Sequence, residues 1–244
     1  MNLPPRWCWF ADPTALARTA AAELADWLQR QLSLQSRATI ALSGGRIAIP
    51  FYQALAQTLR DHNLPLACIH WFWADERFVP PDHPASNFRL ARLHLLDPLS
   101  VPVPNQHPVR TELEARQAAQ VADATLRSHA VASAQDVPVL DAVVLGMGED
   151  GHIASLFPQA ALELPEPSAC YGVVRQAPKP PPIRITLTWA PMRVARHLML
   201  LIAGPGKATA VRRVLAQDRQ LPAVLLLHAR PDTRVYVEQA SLES

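Results

Sequence analysis

Residues 140–158 read LDAVVLGMGEDGHIASLFP and contain the strongest indication of the fold. The run at 139–145 is mostly apolar and is followed directly by a glycine-rich turn. A strand that is apolar on both faces is typical of a parallel sheet covered by helices on both sides. The segment therefore predicts a buried parallel strand whose carboxyl end carries polar residues.

Similar apolar runs recur along the chain and alternate with helical patterns. Further strands are predicted at 38–42, 66–73, 171–175, 198–203, 224–228 and 235–238. Helices are predicted at 13–34, 48–60, 86–96, 111–131, 183–195 and 207–217. This order predicts an α/β fold, with a Rossmann-like, mostly parallel sheet, helices on both faces and a single domain over residues 1–244.

Composition and charge exclude several classes of protein. The 244 residues are 49% hydrophobic, which argues against disorder, and the net charge of +2 is spread without blocks. We therefore expect no nucleic-acid partner and no membrane partner. No apolar run reaches the roughly 18–20 residues that span a bilayer, and the N-terminus does not resemble a secretory signal. Three cysteines, far apart, predict reduced thiols in a cytoplasmic protein.

Four predicted strands end in unusual sequence. These ends are SGG at 43–45, ADER at 74–77, GMGEDGH at 146–152 and GPGK at 204–207. In an open parallel sheet, ligands bind outside the carboxyl ends of the strands. The fold therefore predicts that the four ends meet at one site.

The first and last of these ends favour anion binding. The turn formed by Ser43, Gly44 and Gly45 leads into a helix whose N–H groups can bind a phosphate or an oxyanion. A tight strand-to-helix turn that binds no ligand would have the same sequence pattern. Lys207 opens another helix and is one of only two lysines, beside 21 arginines. A lysine at a helix N-terminus opposes the helix dipole, and a bound anion would offset that cost.

The two middle ends supply charged and titratable groups. Asp75 and Arg77 form either a solvated loop or a mixed acid–guanidinium site. Asp150 and His152 lie in a glycine-rich turn, where a neutral imidazole can act as a base. Ser155 follows His152 by three residues, but no Gly-x-Ser-x-Gly motif is present, which argues against a serine nucleophile. The absence of His-x-x-x-His and Cys-x-x-Cys spacings argues against a metal site.

Taken together, these motifs resemble the 6-phosphogluconolactonase family, within the glucosamine-6-phosphate deaminase/6-phosphogluconolactonase superfamily. The matching text is LSGG at 42–45, ADERFVPPDHPASNFRLARLHLL at 74–96, LDAVVLGMGEDGHIASLFP at 140–158, PPIRITLTWAPM at 181–192 and LLIAGPGKA at 200–208. The resemblance implies a cytoplasmic enzyme of the pentose phosphate pathway that hydrolyses 6-phosphogluconolactone. It also implies that no metal or organic cofactor is needed. The oligomeric state stays open between a monomer and a weak dimer.

The resemblance also implies roles for the site residues. We expect His152 to be the general base that activates water, and Asp150 to orient its ring or shape the loop. The N–H groups of Gly44 and Gly45, or alternatively Arg77, would bind the oxyanion. We expect Lys207 and Arg184 to bind the 6-phosphate. Asp75 is expected to bind sugar hydroxyls or to hold Arg77.

The sequence departs from the family's pattern at one place, and two alternative functions remain. After Ser-Gly-Gly the family usually continues with Ser or Thr, Thr and Pro, where this chain has Arg46-Ile47-Ala48. Glucosamine-6-phosphate deaminases continue their Asp-Gly-His with Ile-Ala-Phe-Asn-Glu-Pro, and the acidic residue is missing here, which favours the lactonase. A catalytically silent sugar-phosphate sensor would carry a DNA-binding helix-turn-helix, for which motifs beginning at Leu42 leave no room.

Overall fold

The computed structural model describes residues 6–133 and 135–242 and contains three sheets. The strands are β1 (Arg6–Phe10), β2 (Ala38–Leu42), β3 (Ile69–Trp73), β4 (Asp75–Arg77), β5 (Val131–Ala132), β6 (Pro138–Val139), β7 (Ala142–Gly146), β8 (Tyr171–Val174), β9 (Arg184–Leu187), β10 (His197–Ile202) and β11 (Arg234–Glu238). The central sheet has six strands in the order β1-β11-β10-β7-β2-β3, and every pair is parallel. The predicted α/β class with a mostly parallel sheet is confirmed.

Helices cover both faces of this sheet. They are α1 (Pro13–Leu34), α2 (Ala48–Asp61), α3 (Asn87–Ala91), α4 (Ala115–His129), α5 (Trp189–Val194), α6 (Ala208–Leu215) and α7 (Pro222–Ala229). α1 and α2 bury apolar side chains in one core, and α4, α6 and α7 bury theirs in the other. None of the helices in the described ranges is both long and apolar enough to cross a membrane.

The long first helix begins where its sequence predicts. Asp12 is the N-cap, and its carboxylate accepts hydrogen bonds of 2.8 Å from the backbone N–H groups of Thr14 and Ala15. Pro13 occupies the first turn, where its missing N–H costs nothing. The fourth helix starts later than predicted, because Glu114 is its N-cap and Glu112 lies outside it.

The small sheet β4-β9-β8 is antiparallel and corrects one prediction. Residues 183–195 were expected to be helical, but they form strand β9 followed by the short helix α5. The segment IRITLTW at 183–189 alternates apolar and polar residues, which is the period of a strand and should have decided against a helix here. β9 pairs with β4 and thereby sets Arg184 opposite Arg77.

The last part of the chain corrects a second prediction. Residues 224–228 were expected to form a strand, but they lie in α7. A short apolar run is ambiguous, and Pro222 at the first helical position was the helix-start signal that should have decided it. β1, which was not predicted, takes the sheet edge beside β11.

Candidate active site

A cleft of about 310 Å³ opens beyond the carboxyl ends of β2, β7 and β10. Eight of the nine side chains or glycines predicted for the site line it: Ser43, Gly44, Gly45, Asp75, Arg77, His152, Arg184 and Lys207. The ninth, Asp150, lies behind His152 and contacts it directly. The fold therefore brings the four glycine-rich or charged strand ends into one place.

The imidazole of His152 is held by Asp150. Its Nδ1 lies 2.5 Å from Asp150 Oδ1, which also accepts from the His152 backbone N–H. Burial would raise the pKa of Asp150, but the hydrogen bond and charge of His152 outweigh it and lower the pKa to about 2. An ionised Asp150 accepts the proton on Nδ1, so in the neutral ring Nε2 carries the lone pair.

Gly148 makes this arrangement possible. A Cβ at position 148 would lie 2.0 Å from Nδ1 of His152 and 2.5 Å from Asp150 Oδ1, so any larger residue would displace the pair. The Gly148 N–H also donates to the His152 carbonyl at 2.8 Å, which closes the turn. Phe157 packs on the ring at a centroid distance of 4.4 Å. The turn therefore fixes both the position and the orientation of the imidazole.

Asp75 is buried at the floor of the cleft and is held by two side chains. Ser155 Oγ donates to Asp75 Oδ2 at 2.7 Å, and Asn87 Nδ2 donates to the Asp75 carbonyl at 2.8 Å. Ser155 is itself fully buried, which fits its role as a donor to a carboxylate and not as a nucleophile. Asp75 is thus a fixed anion facing the cleft.

Glu76, next in sequence, organises the short helix α3. Its carboxylate accepts hydrogen bonds of 2.7 Å from the backbone N–H groups of Asn87 and Phe88, and one of 3.1 Å from Ser86 Oγ. Burial raises the pKa of Glu76 to about 7. The carboxylate satisfies donors of the first helical turn and so pins Asn87 beside Asp75.

Asn87 is a cleft residue that the sequence analysis missed. A Cβ at position 44 would lie 1.9 Å from Asn87 Oδ1, so Gly44 is required by this neighbour. Asn87 Oδ1, Ser43 Oγ and Arg77 Nε are buried and have no hydrogen-bond partner within the described part of the chain. All three residues line the cleft, so these atoms are available to a polar ligand.

Arg77 and Arg184 are neighbouring cations on paired strands. Arg77 donates to the Ala85 carbonyl at 2.9 Å, and Arg184 donates to the carbonyls of Pro181 and Lys179 at 2.7 and 3.0 Å. Neither has a carboxylate within ion-pair distance among residues 6–133 and 135–242. Burial and then the charge of Arg77 lower the pKa of Arg184. An anionic ligand would relieve this repulsion.

A second group of cations surrounds Glu149, which was also missed. Its carboxylate contacts Arg46 Nη2 at 3.2 Å and Lys179 Nζ at 2.9 Å, and Arg46 also donates to the Pro205 carbonyl. Arg46, which replaces the family's small hydroxyl residue, therefore bridges two loops. Lys207 Nζ donates to the Met147 carbonyl at 2.6 Å, and burial lowers the pKa of Lys207.

The charge of the cleft is strongly positive. Among the described residues that line it, five are cationic and two are carboxylates, Asp75 and Glu149. The cations are Arg46, Arg77, Lys179, Arg184 and Lys207. Such an excess favours a ligand with more than one negative charge.

Comparison with known proteins identifies the group to which this arrangement belongs. Residues 11–236 match the family described as glucosamine-6-phosphate isomerases/6-phosphogluconolactonase. The chain is 35% identical over 223 residues to a 6-phosphogluconolactonase of Mycobacterium leprae, covering 88% of each protein. It is 33% identical over 196 residues to the human 6-phosphogluconolactonase, covering 79% of this chain and 74% of that protein.

Solved structures of similar proteins agree with the sequence comparisons. A 6-phosphogluconolactonase from Thermotoga maritima superposes with a TM-score of 0.82 at 25% identity, covering 96% of this chain and 100% of that chain. A monomeric glucosamine-6-phosphate deaminase superposes with a TM-score of 0.79 at 19% identity, covering 98% of this chain and 99% of that chain. The second likeness extends to the fold alone.

Proposed function

The chain belongs to the glucosamine-6-phosphate isomerase/6-phosphogluconolactonase family, and we propose that its cleft carries out the lactonase reaction of that family. It hydrolyses 6-phospho-D-glucono-1,5-lactone to 6-phosphogluconate, a step of the oxidative pentose phosphate pathway. The observation that carries the proposal is the Asp150–His152 pair at the edge of a cleft lined by five cations. We take residues 1–244 as one catalytic domain that acts in the cytoplasm.

The reaction needs one activated water and one stabilised oxyanion. Nε2 of His152 takes a proton from water as the oxygen attacks the lactone carbonyl carbon. The carbonyl oxygen becomes negative and is stabilised by the N–H groups of Gly44 and Gly45 or by Arg77. The bond from this carbon to the ring oxygen then breaks, and the imidazolium returns its proton to that oxygen. No covalent enzyme intermediate and no cofactor enter the scheme.

The other groups bind and orient the substrate. A phosphate dianion fits the cationic side chains, for which Lys207 and Arg184 are the proposed contacts. Asp75 is fixed by Ser155 and faces the cleft, where it can accept hydrogen bonds from sugar hydroxyls or orient Arg77. Asn87 Oδ1 and Ser43 Oγ offer further polar contacts.

Two alternatives are less well supported. Deamination of glucosamine 6-phosphate would use an acidic residue after Asp-Gly-His, where this chain has Ser155, Leu156 and Phe157. Ser155 is engaged with Asp75, and Phe157 packs on the imidazole, so no carboxylate takes that place among these residues. A catalytically silent sugar-phosphate-binding protein would not require an imidazole held in one tautomer by a carboxylate.

The test is turnover of freshly prepared 6-phosphogluconolactone, corrected for its spontaneous hydrolysis, with glucosamine 6-phosphate assayed in parallel. We expect acceleration with the lactone and no ammonia from the amino sugar. Binding of 6-phosphogluconate without acceleration would instead identify a sensor. Ammonia release would identify a deaminase.

A further inference from the structure

Three histidines meet on the other side of the molecule from the strand ends that form the cleft. His70 is the second residue of β3, His107 lies in the segment beside this edge strand, and His129 is the last residue of α4. One ring nitrogen from each lies within 4.8 Å of the other two, and all three side chains are partly buried. The site residues described above do not include any of them.

The surrounding structure holds the three rings in place. The His107 backbone N–H donates to the Trp71 carbonyl at 2.9 Å, and its ring stacks on Phe72 at a centroid distance of 4.5 Å. Nδ1 of His129 lies 2.9 Å from the Thr125 carbonyl, which can only accept, so this nitrogen carries a proton. In the neutral ring, Nε2 of His129 then has the lone pair. A carbonyl behind one ring nitrogen is the usual second partner of a metal-binding histidine.

We propose that His70, His107 and His129 form a binding site for one divalent transition-metal ion of the zinc class. Zinc–nitrogen bonds are about 2.0–2.1 Å long, so two nitrogens on a tetrahedral ion lie about 3.3 Å apart. His70 Nδ1 and His107 Nε2 are 2.9 Å apart and share a hydrogen bond, which the ion would replace as the shared proton leaves these two nitrogens. No pair of the three ligand nitrogens exceeds 4.8 Å. Movements of about 1.5 Å or less at each nitrogen pair, within the reach of ring rotations, complete the geometry.

The chemistry of the ligands selects the ion. Imidazole nitrogens suit zinc, copper, nickel and cobalt, whereas magnesium and calcium require oxygen ligands. Burial and the neighbouring His129 lower the pKa of both His70 and His107, the latter to about 4, so these rings are neutral at pH 7. A cavity of about 180 Å³ borders His107.

Neighbouring charges have opposing effects on a cation bound at the three histidines. The C-terminus of α4 carries partial negative charge, which favours a cation beside His129. Arg37 opposes it, since its charge is felt at His70. Because the site has three imidazole donors and no carboxylate, binding depends on ligand geometry, and removal of any one imidazole should weaken it strongly.

Metal binding here would stabilise the fold and leave the chemistry of the cleft alone. The ion would join an edge strand, the segment beside it and the end of a helix that come from three distant parts of the sequence. A ligand that binds only the native state raises the melting temperature. At a hundredfold excess over Kd, the rise for a chain of this size is about 5–10 °C.

The experiment uses the full chain without a histidine tag, stripped with EDTA and dialysed. Zinc is titrated by calorimetry, and cobalt is used as an optical probe of coordination. The variants are His129→Ala and His129→Phe, of which the second keeps a ring in the stack, and the control is His228→Ala, an exposed histidine on α7. Circular dichroism and lactone turnover report that each variant is folded.

We expect wild type and His228→Ala to bind one equivalent of zinc, with visible cobalt bands and a raised melting temperature. Both His129 variants should bind at least about 30-fold more weakly and lose the cobalt bands. The proposal is overturned if the wild type binds no zinc, or if the folded His129 variants bind it as tightly as the wild type.

Discussion

The molecule contains two histidine sites that differ mainly in their partners. His152 stands against an ionised carboxylate and faces a positively charged cleft. His70, His107 and His129 face one another and aromatic side chains, and within residues 6–133 and 135–242 no carboxylate forms an ion pair with them. A carboxylate partner fixes a tautomer and stabilises an imidazolium, which suits a base that takes and returns a proton. Three imidazole rings, each with one nitrogen within 4.8 Å of the other two, suit a metal ion.

The difference shows that a histidine's chemistry is set by its neighbours and not by its position in a motif. The cleft was recognisable from sequence because its histidine follows three glycines and lies two residues after an aspartate. His70, His107 and His129 are separated by 37 and 22 residues, and only the fold brings them together. Experiments that change one site and measure the properties of both can therefore separate catalysis from stability.

The largest effect is expected from removing the imidazole in the cleft. His152→Ala should lower turnover about 10²–10⁴-fold, which is the usual contribution of a positioned general base. His107→Ala is the matched control, and it should keep lactone turnover within about twofold because its ring lies outside the cleft. Steady-state rates of both variants check this. Wild-type turnover in folded His152→Ala would exclude the proposed base.

A smaller effect is expected from removing Lys207, the proposed phosphate contact. Truncating one partner of a desolvated charge pair costs about 2–5 kcal/mol. Lys207→Ala should therefore raise KM for the phosphorylated lactone at least about 30-fold. Any weak activity on unphosphorylated gluconolactone should change little, since that substrate lacks the charge. Equal losses on both substrates would mean that Lys207 acts through the loop that it holds at the Met147 carbonyl.

Arg46 should matter less than Lys207 although both lie at the cleft. The Arg46 side chain is 62% exposed, and its partner Glu149 is 42% exposed, so their ion pair is worth about 0–1 kcal/mol. Arg46→Ser restores the kind of residue usual in the family and should change KM less than about tenfold. Paired KM and kcat measurements check this. A collapse of kcat would show that the first loop is rebuilt around the guanidinium.

The sequence predicted the site better than it predicted the strand and helix boundaries around it. Glycines and charged residues directly after apolar runs mark strand ends, and the parallel fold brings those ends together whatever the details between them. The segment 183–189 alternates apolar and polar residues at the strand period, which the prediction of a helix over 183–195 overlooked. The apolar run at 224–228 carries no period, and its prediction as a strand was wrong.

Two cleft residues lie within the quoted motifs, but the contacts that place them were not predicted. Asn87 is held at the site because its backbone N–H donates to the Glu76 carboxylate, 11 residues earlier in the chain. Glu149 gathers Arg46 and Lys179 from loops separated by more than 100 residues. Side-chain contacts over such separations depend on the finished fold, as the histidine cluster does. The roles of the individual site residues stay predictions for the variants above.

The buried histidines should also make stability depend on pH. Burial lowers the pKa of His107 to about 4 from 6.5, so between these values the unfolded chain binds a proton that the folded chain does not. Stability should therefore fall as the pH falls below about 6.5. Because the ring is partly exposed, we expect His107 to contribute a loss of about 1 kcal/mol by pH 5.

Urea unfolding at pH 7 and pH 5, in buffer containing EDTA, measures this contribution. Other groups titrate too, since burial lowers the pKa of His197 to about 4 and raises that of Glu76 to about 7. The informative quantity is therefore the difference between wild type and His107→Ala. Between pH 7 and pH 5, the free energy of unfolding of the wild type should fall by about 1 kcal/mol more than that of His107→Ala. Equal losses in the two proteins would show that His107 takes up a proton without cost in the folded state.

Chelation of metal ions should have the smallest effect on turnover. It is also the experiment that best distinguishes the cleft from the histidine cluster. The scheme at the cleft uses an imidazole, a water molecule and fixed donors, so exhaustive EDTA treatment should leave kcat and KM unchanged. The same treatment should lower the melting temperature of protein loaded with zinc, because the ion stabilises only the native state. Turnover and melting are measured on the same samples before and after zinc is restored. Turnover that is lost with EDTA and recovered with zinc or magnesium would refute the metal-free scheme, since it would place the ion in catalysis.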